Sequence, residues 1–249
     1  MTIDTCLRSA FAQKAVLKII SGLNNFDETR VAAIVKAADK GGATFVDIAA
    51  HPTLVKMVRQ LTQLPICVSA VEPEKFVAAV QAGAHLIEIG NYDSFYPQGR
   101  FFSAAEVLQL TYQTRSLLPN IPLSVTVPHI LELDQQVQLA EDLVKAGADI
   151  IQTEGGTSRR PTCPGTVGLI EKATPTLAAT YEIARVVPVP ILCASGISSV
   201  TAPLAIAVGA AGVGVGTAIN QLNSEVAMVA AVRSLVEALA GVRGTRTYA

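Results

Sequence analysis

The chain has 249 residues, half of them apolar and only 16% charged, which is material for a large buried core. Its 19 basic and 20 acidic side chains leave a net charge of −1 with no long run of either sign, which argues against a nucleic-acid or anionic-membrane partner. Cys6, Cys67, Cys163 and Cys193 are scattered without a C-x-x-C pair, and no charge-free apolar stretch of about 18 residues suggests a membrane span, so a soluble protein of a reducing, cytoplasmic compartment is expected.

Met1 to Lys14 lacks the apolar segment of a signal peptide and reads as a short helix packed outside or below a single domain that takes in the whole chain. AVLKII, Ala15 to Ile20, is the first strand, and two recurring phrases then alternate. GGATFVDIA (Gly41 to Ala49), AGAHLIEIG (Ala82 to Gly90), AGADIIQTE (Ala146 to Glu154) and VGAAGVGVG (Val208 to Gly216) each carry a helix-ending Gly followed by an apolar strand. LPICVSAV (Leu64 to Val71), IPLSVTVP (Ile121 to Pro128) and VPILCASG (Val189 to Gly196) each open a strand on Pro, where its missing N–H is tolerated. Pro52, Pro73 and Pro175 suit first helical turns, Ser103 with Glu106 forms a capping-box pattern, and Ser224 can cap the last helix. Eight strands alternating with helices predict a parallel sheet. Four copies of a two-strand repeat, with no G-x-G-x-x-G after the first strand, favour a closed α/β barrel of the (β/α)8 TIM type over an open Rossmann sheet.

Aligning the first set of phrases on the Gly puts Asp47, Glu88, Gln152 and Gly214 at one inward position, with Lys18, Ser69, Thr126 and Ser195 their counterparts on the odd strands. Ala49, Gly90, Glu154 and Gly216 would form the rim. Lys18 inside an apolar strand needs a partner, and Asp47 is the natural one; the pair reads either as a structural salt bridge or as an amine for Schiff-base or acid–base chemistry. Asp47 and Glu88 can share a proton, hold a divalent cation, act as acid and base, or be held structurally by Lys18 and neighbouring hydroxyls, and Glu154 at the rim reads equally as a general base or as a group that orients the following loop.

Both Ser195-Gly196 and Gly216-Thr217 end apolar runs on small residues, and the helix opened by Thr217 points free N–H groups outward. Together they read as a phosphate cradle in the loops after strands seven and eight, with small-residue helix packing as the alternative. Gln152 joins them as a ligand contact. The loop from Gly155 to Ala173 is long enough for a lid, and its Arg159-Arg160 pair reads more readily as solvated side chains than as a clamp closing on an anion; Cys163 beside them has no base to activate it. The loop from Asn91 to Phe102 holds Tyr92, Phe95, Tyr96, Phe101 and Phe102, which read equally as a compact loop core, a wall over a ring-shaped ligand or a homo-oligomer contact. His51 and His129 follow strands at the rim without metal-ligand spacing and read as loop caps more than acid–base groups, while His85 begins a strand at the opposite end.

The phrases LKIISGLNNFD, FVDIAAHP, VSAVEPE, IEIGNYDSFYPQGRF, LSVTVPH, IIQTEGG, CASGISSVTAP and GVGVGTAIN resemble those of the hypothetical chloroplast open reading frame 23 family of plastids and cyanobacteria. That resemblance spans nearly the whole chain and implies a barrel and a cytoplasmic or plastid-stromal setting, but brings no activity with it. The SGI loop and GVGVGTAI turn are also similar to phosphate-binding barrels such as thiazole synthase and N-acetylmannosamine-6-phosphate epimerase, which supports Ser195, Gly196, Gly216 and Thr217. The catalytic lysines of those enzymes have no counterpart: Leu86-Ile87-Glu88-Ile89 and Ser69 stand in their places. Three functions are consistent with these residues. The first is a lyase or isomerase acting on a small phosphorylated metabolite, the second an FMN-binding protein, and the third a non-catalytic binding or assembly protein.

Overall fold

The computed structural model describes residues 5–155 and 160–244. Helix α1 (Thr5–Ala12) precedes strand β1 (Val16–Gly22), after which come α2 (Glu28–Gly41), β2 (Phe45–Ala49), α3 (Pro52–Leu61), β3 (Ile66–Ala70), α4 (Pro73–Gln81) and β4 (Leu86–Ile89). Two 3-10 turns, Tyr92–Ser94 and Tyr96–Gln98, lead to α5 (Ala104–Leu117), β5 (Leu123–Val127), α6 (Leu133–Lys145), β6 (Ile150–Thr153) and α7 (Gly165–Ile183). The chain continues through β7 (Ile191–Ala194), α8 (Ala202–Ala207), β8 (Gly212–Val215), α9 (Thr217–Asn220) and α10 (Glu225–Gly244). The eight strands are parallel, pair in sequence order, and close with β8 against β1: a (β/α)8 TIM barrel. No helix among the described residues is long and apolar enough to cross a membrane.

Local chemistry fixes the element ends. Asp27 caps α2 by accepting from the amides of Thr29 and Arg30, and Gly42 ends it at φ +89°. Pro52 and Pro73 open α3 and α4, where a missing N–H costs nothing. Ser103 accepts from the Glu106 amide at 3.3 Å, but the Glu106 carboxylate turns to Arg100, so only half of the expected capping box forms.

One expectation is corrected. Pro175 lies inside α7, which begins at Gly165, so the preceding loop ends about two and a half helical turns earlier than Ala173. The earlier start is stabilised by Glu171, whose carboxylate accepts from the amides of Thr162 (2.7 Å) and Cys163 (3.2 Å) and folds the loop back on the helix. Pro175 forfeits one helical hydrogen bond but packs against Gly155, where an added Cβ would come within 2.9 Å of the proline Cβ.

Inside the barrel the side chains form tiers. At the amino end, Val16, Phe45, Cys67, Leu86, Ile150 and Leu192 make an apolar plug completed by Leu7 and Phe11 of α1, so the first helix closes the bottom of the barrel. The next tier is polar. Above it the strand ends open into the mouth.

Candidate functional site

The polar tier brings together inward residues of six strands, β1 to β6. Lys18 Nζ lies 2.6 Å from Glu88 Oε2 and 3.2 Å from Asp47 Oδ2, and donates to Gln152 Oε1 at 3.0 Å. Gln152 Nε2 donates to Glu88 Oε1 (2.8 Å) and Thr126 Oγ1 (3.2 Å). Ser124 donates to Glu88 at 2.8 Å, and Ser69 to Asp47 at 2.6 Å. All of these residues are buried. Burial alone would lower the Lys18 pKa, but Asp47 and Glu88 outweigh it and hold the group as an ammonium above its ordinary range. Burial pushes the Asp47 carboxyl up to about 6 against the pull of Lys18, with Glu88 adding to the rise. A single cation thus sits between two carboxylates in a closed layer.

Above this layer is a cavity of about 340 Å³ over the ends of β6, β7, β8 and β1. Gln152 and Glu154 line it; Lys18, Asp47 and Glu88 lie beneath its floor. Ser195, Gly196, Gly216 and Thr217 all line it too. Ser195 holds φ +72° and Asn91, which also lines the cavity, φ +67°, a conformation uncommon for a serine and more readily adopted by an asparagine. The glycines of β8 differ in what they require. A Cβ on Gly212 would meet Val16 at 2.4 Å and one on Gly214 would meet Ala194 at 2.9 Å, so packing demands both. On Gly216, at φ −112°, it would approach nothing closer than 3.5 Å. Packing therefore does not explain Gly216.

Two residues not singled out from the sequence aim the turn after Gly216. Asn220 Nδ2 donates to the carbonyls of Ile20 (3.0 Å) and Ser21 (3.1 Å), tying α9 to the end of β1. Arg30 donates to the carbonyls of Asn220 and Leu222 at the other end of that turn. Lys172 of α7 also lines the cavity and forms no ion pair among the described residues. It was hidden within the stretch read as a loop. Arg159, expected as the anion clamp, lies outside the described residues, and Arg160 is exposed.

A second polar cluster also lines the cavity, joined to Ser195 through Asp93. Glu154 is 4% exposed, and its Oε1 accepts from the Tyr96 hydroxyl (2.5 Å) and the His129 amide (3.3 Å), with His129 Nδ1 3.2 Å away. Asp93 accepts from Ser195 Oγ at 2.8 Å through Oδ2, and its Oδ1 is 3.6 Å from His129 Nδ1. Burial raises the Glu154 pKa and Asp93 adds to it, while His129 and Tyr96 oppose. Burial would lower His129, but hydrogen bonding and charge from Glu154 and Asp93 raise it. The Tyr96 hydroxyl, raised by burial and by Glu154, stays a donor.

The aromatic loop supplies part of this cluster. Tyr92 and Phe102 are buried with ring centroids 4.5 Å apart, and Phe95 meets Phe102 edge-on, which is the compact loop core. Its polar residues Asn91, Asp93 and Ser94 face the cavity. Phe101 stays 55% exposed. The remaining histidines divide as expected by position: His51 begins α3 beside Phe26, and His85 accepts from the Ile66 amide at the far end of the barrel.

Residues 3–244 match a family model described as "Protein of unknown function (DUF561)". The protein ycf23 of Cyanophora paradoxa is 50% identical over 218 residues, covering 87% of this chain and 89% of the relative. That of Porphyra purpurea is 40% identical over 229 residues, covering 92% and 86%. Among solved structures, a geranylgeranylglyceryl phosphate synthase (GGGPS) from Thermoplasma volcanium superposes with a TM-score of 0.63 at 12% identity over 96% of this chain and 98% of that one. Thiamine phosphate pyrophosphorylase from Pyrococcus furiosus gives 0.61 at 18% identity over 92% and 98%. At these identities the structures share the fold, whereas the sequence matches run the length of the chain: it belongs to the DUF561 family that includes the ycf23 proteins.

Proposed function

We propose that the protein is an enzyme of lyase or isomerase type acting on a small phosphorylated metabolite, in the cytoplasm or plastid stroma. The observation that carries this reading is that the side-chain-free Gly216 and a buried, hydrogen-bonded Glu154 line one cavity of about 340 Å³. That volume suits a compact metabolite. The neighbours in fold lend support by what their own names state. One is a thiamine phosphate enzyme, another a GGGPS in complex with sn-glycerol-1-phosphate, and a third an N-(5'-phosphoribosyl)anthranilate isomerase.

In this reading the phosphate sits against Ser195, Gly196, Gly216 and Thr217, where the first amides of α9 lack intrahelical acceptors, and Lys172 balances its charge. The carbon skeleton then extends toward Glu154, which with His129 and Tyr96 takes up and returns a proton. Lys18, Asp47 and Glu88 act as positioning residues: they hold Gln152, whose side chain belongs to their hydrogen-bonded network and lines the cavity. A Schiff base asks for a neutral amine in contact with substrate, whereas Lys18 is held as an ammonium below the floor.

Thermal-shift titration against glycerol phosphates and three- to six-carbon sugar phosphates, followed by NMR of any stabilising compound incubated with the protein, tests the reading. A stabilising ester should be converted, and Glu154→Gln should still bind it while turnover falls by about 100-fold or more. Stabilisation by none of these esters, or unchanged turnover in Glu154→Gln, contradicts it. An absorbance band of bound flavin in the purified protein would favour FMN as the phosphate-bearing group instead.

A further inference from the structure

We propose that Asp93, His129 and Glu154 bind one divalent transition-metal ion of the Mn2+, Fe2+, Co2+ or Zn2+ class at the wall of the cavity. One donor atom from each residue lies within 4.8 Å of the other two. The measured edges are closer still: His129 Nδ1 is 3.2 Å from Glu154 Oε1 and 3.6 Å from Asp93 Oδ1. Ligand atoms held by one ion through bonds of about 2.1 Å stand roughly 3.0 Å apart at octahedral corners and roughly 3.4 Å at tetrahedral ones. Two of the three edges are therefore near the spacing of a coordination face, and the third lies within 4.8 Å.

A second observation points the same way. Glu154 Oε2 and Asp93 Oδ1 are both buried and have no hydrogen-bond partner among the described residues, although Glu154 as a whole is only 4% exposed and lines the cavity. A buried carboxylate oxygen without a partner is costly unless something positive satisfies it. Tyr96 and the His129 amide donate to Glu154 Oε1, and Ser195 donates to Asp93 Oδ2; such hydrogen bonds orient ligating carboxylates, and they leave Glu154 Oε2 and Asp93 Oδ1 for the ion, which would replace the His129 Nδ1–Glu154 Oε1 hydrogen bond. One imidazole with two carboxylates selects transition ions over Mg2+ or Ca2+, which prefer all-oxygen sets, and two negative charges balance the ion.

Three protein ligands would leave positions open toward the cavity, where a hydroxyl or carbonyl oxygen of the ligand, or a water, can bind and be polarised. That use of the ion rests on the function proposed above, and with the ion bound the proton transfer assigned to Glu154 passes to a water on an open position. The ion site itself does not depend on that reading.

The test is titration of chelator-stripped full-length protein with Mn2+ alone, read by electron paramagnetic resonance, with pulsed detection of nitrogen coupling to the bound ion. Saturation at one Mn2+ per chain, imidazole-nitrogen coupling in the wild type, and at least a tenfold weaker affinity in Asp93→Asn and Glu154→Gln variants of unchanged circular dichroism are expected. The proposal is overturned by no saturable binding at millimolar Mn2+, by bound Mn2+ without nitrogen coupling, or by affinity that neither substitution moves. If the variants do not fold, the wild-type nitrogen coupling decides alone. Ion binding without any stabilising phosphate ester would refute the proposed function and leave this site standing; the reverse would refute only the site.

Discussion

Lys18, Asp47 and Glu88 show what it takes to keep three charges inside a barrel. One ammonium cannot fully satisfy two carboxylates in a closed layer, and the strain falls on Asp47, whose carboxyl is pushed up to about 6 by burial. Because the folded form holds this proton more tightly than the unfolded chain, the associated stability is present below the ordinary value of 3.8 and is lost as pH rises through about 6. Asp47→Asn should remove that loss, so its stability relative to wild type should improve by about 1–3 kcal/mol between pH 4 and pH 7. Urea unfolding at the two pH values measures this, and parallel curves for the two proteins would contradict it. The meeting of these residues was legible in the sequence, because one alignment on the helix-ending Gly puts Asp47, Glu88 and Gln152 at the same inward position. Asp93 was not, since it lies in a 3-10 turn beyond β4 where no strand period continues. Nor was the pairing of His129 with Glu154, which comes from the adjacency of β5 and β6 rather than from any spacing along the chain.

At the scale of elements, two packing devices hold the site in place. Helix α1 seals the amino end through Leu7 and Phe11, so Phe11→Ala should lower stability by about 3–5 kcal/mol without touching the mouth. A chemical-denaturation midpoint equal to that of wild type would show that α1 is not part of the core. The loop before α7 is held by Glu171, whose carboxyl is brought down to about 2, first by the amide of Thr162 and then by that of Cys163. Glu171→Gln weakens those charge-assisted bonds, and limited proteolysis within residues 160–164 should then run several-fold faster at neutral pH. Equal cleavage rates would mean that the loop is ordered by other contacts. This segment is also where the reading from sequence went astray: Pro175 is favourable at a helix start, and only the tertiary contact with Gly155 makes it tolerable ten residues further in.

The barrel as a whole follows from repetition. Each helix-ending Gly restarts an even-numbered strand at the same height, and with the odd-numbered strands between them the eight registers close so that polar residues share one tier and the small-residue ends of β7 and β8 share one mouth. The small-residue ends of β7 and β8 and the Glu154 cluster line one cavity because closure brings these strand ends to the same opening. Their relation is a property of the closed sheet, which is why it could be anticipated from a repeat while the loop residues that complete it could not. The central claim, that this opening receives a phosphate group against Gly216, is tested most directly by native mass spectrometry of wild-type and Gly216→Ala protein taken from the same cells without added ligand. The wild type should carry a phosphate-containing adduct, and Gly216→Ala, whose new methyl finds no clash in the protein, should keep its melting temperature within about 2 °C and lose the adduct. The same adduct on both proteins, or none on either, would contradict the account.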